Sequence, residues 1–178
     1  MFFIGGIHGV GKSTVCDQLC RVQNLNHLSA SNLIKWSEIN EDPRNKKVFD
    51  IDNTQRKLLT GLKEKVEVDK NYLLDGHFCL LDRDTKVSRI PLSLFKGINP
   101  DLLCIISGNI QEIKENIELR DKRTYDYDLL FEMQEKELEN AKYIASELSI
   151  NLICGTKENF YEIQKTINGI LNENTFRH

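Results

Sequence analysis

Short runs of apolar residues alternate with longer segments of helical periodicity along the 178-residue chain. Each apolar run has the length of a strand, and residues 102–106 are apolar throughout. Uninterrupted apolar character is typical of strands that are buried on both faces. The pattern predicts strands at residues 2–4, 27–29, 72–74, 102–106 and 150–154.

The segments between these strands carry apolar residues at the three- and four-residue spacing of a helix face. In the segment 51–68, for example, Leu58, Leu59 and Leu62 share one face. Proline and glycine interrupt the pattern repeatedly in residues 78–100, so the pattern does not define the elements of this segment. The predicted helices cover residues 12–22, 31–36, 51–68, 110–119, 126–148 and 160–171.

This order of elements predicts one domain over residues 1–178. Strands that alternate with helices form parallel βαβ units whose helices cover both faces of the sheet. We therefore expect a three-layer α/β fold with about five parallel strands. In such open sheets, ligands bind outside the carboxyl ends of the strands. The loop 6–14 and the segments 29–31, 75–77 and 107–108 should then converge on one cleft.

Composition and charge disfavour several classes of function. The formal net charge is −3 and the basic residues are dispersed, so the chain lacks the basic stripe of a nucleic-acid-binding protein. No apolar run approaches the ~18 residues of a membrane span, and the first residues lack the basic region and cleavage site of a signal peptide. Five cysteines without CxxC spacing favour reduced thiols in a cytoplasmic protein.

Residues 6–13 match G-x-x-x-x-G-K-[ST], the P-loop motif, between a predicted strand and a predicted helix. Its glycines let successive backbone N–H groups face a bound phosphate, and the N-terminus of the following helix adds a favourable dipole. Lys12 brings a positive charge to the β- and γ-phosphates, and Ser13 offers a hydroxyl to Mg²⁺. The motif predicts a P-loop NTPase fold that binds ATP with Mg²⁺. The residues expected to contact the nucleotide are Gly6, Gly9, Val10, Gly11, Lys12, Ser13 and Thr14.

A second group of candidate residues follows the third predicted strand. Asp75 lies where this strand ends, so its carboxylate can reach Mg²⁺ through a water molecule, since Mg²⁺ keeps much of its hydration. Alternatively, Asp75 holds or deprotonates an acceptor. His77 orients either the acceptor or Asp75. We therefore take Ser13 and Asp75 as candidate metal ligands and His77 as a candidate substrate-binding residue.

Several short stretches resemble the adenylate-kinase-related nucleotide kinases, especially the archaeal and eukaryotic nuclear types. They are the loop 6–14, the sequence LLDGHF at 73–78, NPD at 99–101, ELRDKRTY at 118–125, and a following helix with Glu132, Gln134 and Glu135. In order of elements the resemblance spans nearly the whole chain. It implies a nucleoside monophosphate kinase, which transfers the γ-phosphoryl group of ATP to a nucleoside monophosphate.

The resemblance implies an acceptor-binding arm at about residues 29–56. Ser31 lies at the start of this arm and Arg56 at its end, and both are candidate ligands of the acceptor. The further candidates considered for the acceptor are Asn32, Lys35, Arg83 and Arg89. The polar segment 38–47 matches no pattern of the family, so the identity of the base stays open.

The resemblance also implies a lid at about residues 120–127. Its Arg120 and Arg123 would neutralise charge on the moving phosphoryl group, because a planar guanidinium suits phosphate oxygens better than an ammonium does. Phosphoryl transfer depends mostly on positioning and on such charge neutralisation. The candidate catalytic residues are Lys12, Asp75, Arg120 and Arg123.

Two other functions stay open. A P-loop kinase that acts on a hydroxyl group of a small molecule or a polynucleotide would use Asp75 as a base. A monophosphate is already anionic and needs cations instead, so the number of cations near the acceptor discriminates between these kinases. A nucleotide-switched ATPase commonly has an acidic pair after the third strand to polarise water, whereas this chain has Asp75 followed by Gly76.

Overall fold

The computed structural model describes residues 1–34, 51–82 and 84–175. Within these ranges strands and helices alternate. The elements in chain order are β1 (Phe2–Gly5), α1 (Lys12–Gln23), β2 (Asn26–Ser29), α2 (Ala30–Ile34), α3 (Ile51–Lys65), β3 (Tyr72–Asp75), β4 (Cys79–Leu81), β5 (Val87–Arg89), α4 (Leu92–Ile98), β6 (Leu102–Ile106), α5 (Ile110–Asp121), α6 (Tyr127–Leu148), β7 (Leu152–Gly155) and α7 (Tyr161–Thr175).

Five of the described strands form a parallel sheet in the order β2-β3-β1-β6-β7. Strand β1 lies at the centre, where Ile4 pairs with Asp75 of β3 and with Cys104 of β6. Strands β1 and β6 are buried along their whole length, as expected when helices cover both faces of a sheet. The prediction of a three-layer α/β fold with about five parallel strands is confirmed.

Alternate residues of the central strands enter two apolar cores, one on each face of the sheet. Phe2 and Ile4 pack on one face, which helices α1, α5 and α7 cover. Phe3 packs on the opposite face, which α3 and α4 cover. The long helix α6 contributes its first turns to the first core and its last turns to the second. This helix therefore connects the two layers.

Residues 78–100 contain an antiparallel hairpin, β4–β5, and the short helix α4. The sequence pattern did not define these elements. The turn of the hairpin is held by Asp82, whose Oδ1 accepts backbone hydrogen bonds of 2.9 Å from both Asp84 and Lys86. Strands of three residues, joined by a turn that depends on one side chain, are too short for periodicity to reveal.

Some predicted bounds also differ from those in the structure. Helix α3 ends at Lys65, three residues earlier than predicted. Strand β7 begins at Leu152 because Ile150 takes part in the turn that ends α6, where its N–H donates to the carbonyl of Ala145. The segment 38–47 lies outside the described residues, as do Trp36, Lys35 and Arg83. Among the helices of the described ranges, none combines the length and apolar character that crossing a bilayer requires.

The parallel register brings three strand ends to the same edge of the sheet. Asp75 pairs with Ile4 of β1 and with Ser29 of β2. The N–H of Gly76 donates to the carbonyl of Ile4 at 3.0 Å, which extends the ladder by one residue. The loops that follow β1, β2 and β3 therefore leave the sheet side by side.

Candidate active site

The loop between β1 and α1 has a backbone that suits glycine at Gly6, Gly9 and Gly11. Gly9 has a φ of 82° and Gly11 a φ of 95°, a region that side-chain-bearing residues rarely adopt. A Cβ on Gly9 would lie 2.1 Å from Cγ2 of Ile117, and one on Gly11 would lie 2.9 Å from Cβ of Lys157. Both the φ angle and the available space thus fix the loop in this shape, which suits a phosphate-binding loop.

Lys12 is the first residue of α1, and its side chain folds back over the loop. The residue is 7% exposed, and Nζ donates to the carbonyl of Gly6 at 2.6 Å and to that of Ile7 at 3.2 Å. Burial lowers the pKa of Lys12, while the nearby carboxylates of Asp75 and Glu137 act in the opposite direction. A phosphate that enters the loop can replace the two neutral carbonyls as the partner of this cation.

A cavity of about 360 Å³ opens beside the loop, at the edge where the strands end. The rings of His8 and His77 lie 4.3 Å apart between centroids, so they join the loop to the end of β3. The polar part of the lining consists of His8, Gly9, Gly11, Lys12, Ser13, Thr14, Ser29, Ser31, Asp75, Gly76, His77 and Arg120. The cavity therefore places the loop opposite the ends of β2 and β3.

The rest of the lining is largely apolar and belongs to the second core. Its wall is formed by Phe3, Ala30, Ile34, Leu58, Leu80, Ile90 and Leu94. Two polar side chains of α3, Thr54 and Gln55, interrupt this wall. The Nε2 atom of Gln55 is buried and has no hydrogen-bond partner among the described residues. A buried amide donor of this kind favours a ligand that carries an acceptor atom.

The structure brings most of the predicted site residues to this cavity. Gly6 and Val10 are exceptions. Gly6 is buried under the loop, and Val10 is 2% exposed and packs in the first core, so its backbone alone can face a phosphate. The predicted convergence holds for the first three strand ends, whereas Ser107 and Gly108 line a separate small pocket of about 20 Å³. The predicted site residues that line the large cavity are Gly9, Gly11, Lys12, Ser13, Thr14, Ser31, Asp75, His77 and Arg120.

Arg56 does not lie at the cavity, contrary to the prediction that it binds the acceptor. Helix α3 turns Thr54, Gln55 and Leu58 toward the cavity, whereas Arg56 is exposed and is not among the lining residues. Leu58 lies four positions after Thr54 and three positions after Gln55, so the side chains of Thr54 and Gln55 both neighbour Leu58 on the helix surface. The cavity thus adds Thr54 and Gln55 of α3 to the candidate residues, and an acceptor role of Arg56 stays a prediction.

The lid segment forms a hydrogen-bonded network in which the two arginines differ. Arg120 lines the cavity and pairs with both carboxylate oxygens of Asp121, at 2.7 Å through Nε and at 2.9 Å through a terminal nitrogen. This pairing holds the pKa of Asp121 far below its ordinary value. The hydroxyl of Tyr125 also donates to Asp121. Arg123 donates through Nε to the hydroxyl oxygen of Tyr125 at 2.8 Å and is not among the lining residues.

A buried glutamate of α6 lies behind the P-loop, and the sequence-based reasoning missed it. Glu137 is 0% exposed, and its carboxylate accepts the backbone N–H of Phe78 at 2.9 Å and of Cys79 at 3.1 Å. Burial raises the pKa of Glu137 to about 7, against the opposing charge of Lys12 and the backbone hydrogen bonds, including one from Gly6. One carboxylate thus holds the loop after β3 and the start of the P-loop together.

Asn140, one turn later on the same helix, completes this buried polar pair. Its Nδ2 donates to the carbonyl of Phe78 at 2.7 Å and to that of Ile90 at 2.9 Å. A sequence signal exists, because Glu137 and Asn140 fall on the stripe of α6 that carries Leu130 and Met133 at helical spacing. Polar residues at such positions are buried, and they need partners in the backbone.

The sequence pattern of a protein family described as an AAA domain matches residues 5–144, which include the P-loop, Asp75 and the lid. The chain belongs to this family. In fold, this AAA domain resembles the crystal structure of a gluconokinase from Sinorhizobium meliloti 1021, with a TM-score of 0.51 and 13% sequence identity. The match covers 83% of this chain and 90% of that chain. At this identity the likeness shows the fold alone. No curated protein matches the chain.

The prediction of the fold is therefore confirmed: the AAA domain has a P-loop kinase-like fold. The finer predictions concern the acceptor, the metal and the roles of individual residues. For these, the cavity beside the P-loop supplies the geometry on which the following proposal rests.

Proposed function

We propose that this AAA domain is a nucleoside monophosphate kinase of the adenylate-kinase-like type, which transfers the γ-phosphoryl group of ATP to a nucleoside monophosphate. The observation that carries the proposal is a single cavity with two chemically different ends. One end has the P-loop with Lys12, and the other has an apolar wall against α3. Donor and acceptor bound at these ends would lie in contact, as direct phosphoryl transfer requires.

The P-loop end supplies the groups that hold the donor. Backbone N–H groups of the loop and the N-terminus of α1 bind the phosphates of ATP. Lys12 then exchanges its contacts with Gly6 and Ile7 for phosphate oxygens. Arg120 lies at the rim of the cavity with its side chain 55% exposed, so it can turn from Asp121 toward the transferred group. Arg123 supports this lid through Tyr125.

The same end fits a Mg²⁺ ion. The hydroxyl of Ser13 and the carboxylate of Asp75 both line the cavity beside the loop, and oxygen atoms are the ligands that Mg²⁺ prefers. In this proposal Ser13 and Asp75 are the residues that would hold the ion. When bound, Mg²⁺ supplies neutralisation of the charge on the phosphate oxygens.

The apolar end favours a nucleoside as the acceptor. A flat base can pack against Leu58, Leu80 and Leu94, which are buried side chains of the wall. The buried Nε2 of Gln55 then donates to an acceptor atom of the base. A polyhydroxylated sugar would leave many hydroxyl groups unpaired against the same wall.

One observation favours a second candidate, a kinase that acts on a hydroxyl group. Among the described residues that line the cavity, the Lys and Arg residues are Lys12 and Arg120, both at the donor end. The lining also offers Ser31, His77 and Asp75, a set that suits a hydroxyl acceptor with Asp75 as its base.

An acceptor screen tests the proposal and separates the candidates. The full chain is incubated with ATP and Mg²⁺, and ADP release is measured with AMP, CMP, GMP, UMP, their deoxy forms, gluconate and glycerol. We expect release that depends on a nucleoside monophosphate, together with the matching diphosphate in chromatography. Release that depends only on a hydroxyl acceptor would support the second candidate. Release at full rate without any acceptor would support an ATPase, and Lys12→Met controls for contaminating activity.

A further inference from the structure

A cluster of metal-ligating side chains lies where α1 crosses the ends of β2 and β3. One ligand atom from each of Cys16, His27 and Asp75 lies within 4.8 Å of the other two. The distance between Nε2 of His27 and Oδ2 of Asp75 is 3.9 Å. A thiol, an imidazole and a carboxylate thus converge from three separate elements of the fold.

The sheet register explains this convergence. His27 pairs with Leu73 and Ser29 pairs with Asp75, so His27 and Asp75 project from the same face of neighbouring strands. Helix α1 covers this face, and Cys16 lies on its buried side in the first core. The three ligands are therefore positioned by the sheet and by a helix that packs on it, rather than by a mobile loop.

The chemistry of the three ligands selects a class of metal. In a tetrahedral zinc site, bonds of about 2.0–2.3 Å place neighbouring ligand atoms about 3.4–3.6 Å apart. Small side-chain rotations bring the cluster to that spacing. Mg²⁺ takes oxygen ligands and does not favour a thiolate, whereas Zn²⁺ and Co²⁺ accept sulfur, nitrogen and oxygen together.

A fourth residue lies where a zinc site commonly has an outer partner. Oδ1 of Asp17 is 3.8 Å from Nδ1 of His27, the ring nitrogen that faces away from Asp75. A carboxylate on that side fixes the ring orientation and leaves Nε2 for the metal. The side chains of His27 and Asp75 are 28% and 14% exposed, which gives an ion an entry path to the buried thiol.

We propose that Cys16, His27 and Asp75 form a binding site for a zinc-class divalent transition metal, with Asp17 as the outer partner of His27. Binding forms a metal–sulfur bond and releases the thiol proton of Cys16 to solvent. Water completes the coordination. Metal bound here engages Asp75 and withdraws it from Mg²⁺, so it inhibits phosphoryl transfer. This inhibition rests on the proposed function, whereas the metal binding itself does not.

Metal binding is tested on the full chain after chelator treatment, with Co²⁺ alone as the probe. Co²⁺ ligated by a thiolate gives a near-ultraviolet charge-transfer band, which a site built from carboxylate and imidazole lacks. We expect a single equivalent of Co²⁺ to produce this band. Added Zn²⁺ should displace Co²⁺ and remove the band, whereas excess Mg²⁺ should leave the band unchanged. Absence of the band in the wild type would overturn the proposal and leave Cys16 as a core thiol.

Matched variants identify the ligands. Cys16→Ala should abolish the band, and His27→Gln and Asp17→Asn should each weaken Co²⁺ binding about tenfold or more. Cys20→Ala is the control, because Cys20 lies one turn later on α1 and outside the cluster. If Cys16→Ala does not fold, His27→Gln tests the assignment instead, because the side chain of His27 is partly exposed. A band that survives in Cys16→Ala, an unchanged Co²⁺ affinity in His27→Gln, or a band that disappears in Cys20→Ala would contradict the assignment.

An activity measurement separates this proposal from the proposed function. Zn²⁺ should inhibit wild-type phosphoryl transfer, whereas Cys16→Ala should keep its basal rate and lose the inhibition. Equal inhibition of both proteins would overturn the inhibitory role. Lys12→Met should lose transfer and still bind Co²⁺. A chain that transfers no phosphoryl group and shows the thiolate band would refute the kinase proposal and support the metal site.

Discussion

At the scale of single residues, Glu137 and Lys12 show how charge is arranged beneath the P-loop. Both are buried, and burial is the larger influence on each, since it raises the pKa of Glu137 and lowers that of Lys12. Each charge partly offsets the cost of burying the other. The backbone N–H groups of Phe78, Cys79 and Gly6 supply the rest of the compensation at the carboxylate.

The raised pKa of Glu137 predicts a pH-dependent stability. The pKa is 4.5 for an ordinary glutamate and about 7 here, so the folded state binds the proton more tightly than the unfolded state does. The resulting stabilisation is complete below the lower value and is lost as pH rises through the higher one. The free energy of unfolding should fall by about 3 kcal/mol across this window.

Urea unfolding at several pH values between about pH 5 and about pH 8 measures this effect. The wild type should lose stability relative to Glu137→Gln as the pH rises, because glutamine does not titrate. Glu135→Gln, an exposed change on the same helix, should follow the wild type. Stability curves that stay parallel for wild type and Glu137→Gln would show that the carboxylate does not titrate in this range.

At the scale of elements, α3 presents one face to the cavity, and a pair of neighbouring residues tests which face binds the acceptor. Gln55 lines the cavity and Arg56 does not. Gln55→Ala should raise KM for the nucleoside monophosphate about five- to tenfold, because one hydrogen bond contributes about 1 kcal/mol. Arg56→Ala should leave KM near the wild-type value. The opposite ranking in steady-state kinetics would restore the sequence-based assignment of Arg56.

We expect a similar difference between Arg120 and Arg123, the two arginines of the predicted lid, in their effect on kcat. Arg120→Ala should lower kcat about a hundredfold if Arg120 acts on the transferred group. Arg123→Ala should have a smaller effect, since Arg123 acts through Tyr125. Lys122→Asn is the control, because asparagine tolerates the left-handed φ of 52° at this position. A rise in KM with unchanged kcat for Arg120→Ala would indicate that Arg120 only binds substrate.

Most of the sheet and the donor end of the site follow from the sequence, for a physical reason. Continuous apolar strands and a glycine-rich loop depend on local requirements, which periodicity and motif record. The face of α3, the hairpin β4–β5 and the partners of Glu137 depend on contacts between distant segments. Glu137, for example, accepts hydrogen bonds from Phe78 and Cys79, which lie 59 and 58 positions earlier in the chain. A pattern along the chain can mark such a residue as buried, but it cannot name the partner.

At the scale of the whole molecule, the site joins both faces of the sheet, so a ligand there should stabilise the entire domain. We expect ATP with Mg²⁺ to bind the folded state only, so at a concentration a hundredfold above Kd it should add ~2.7 kcal/mol to the free energy of unfolding. Thermal denaturation measures the shift. Lys12→Met should lose most of it, and Lys142→Met, an exposed change on α6, should keep it. A flat response of the wild type at millimolar ATP would argue against the donor site.

The buried polar pair of α6 also determines where the domain can move. Glu137 and Asn140 fasten the middle of this helix to the P-loop strand and to the hairpin. Because this helix is fixed at its middle, it cannot slide without moving the P-loop as well. If residues 120–127 act as a lid, we expect closure to be a rotation within residues 122–126, which begin at the left-handed Lys122 and end at Asp126, the N-cap of α6. Such a movement would change a few backbone torsions and leave the P-loop in its present shape.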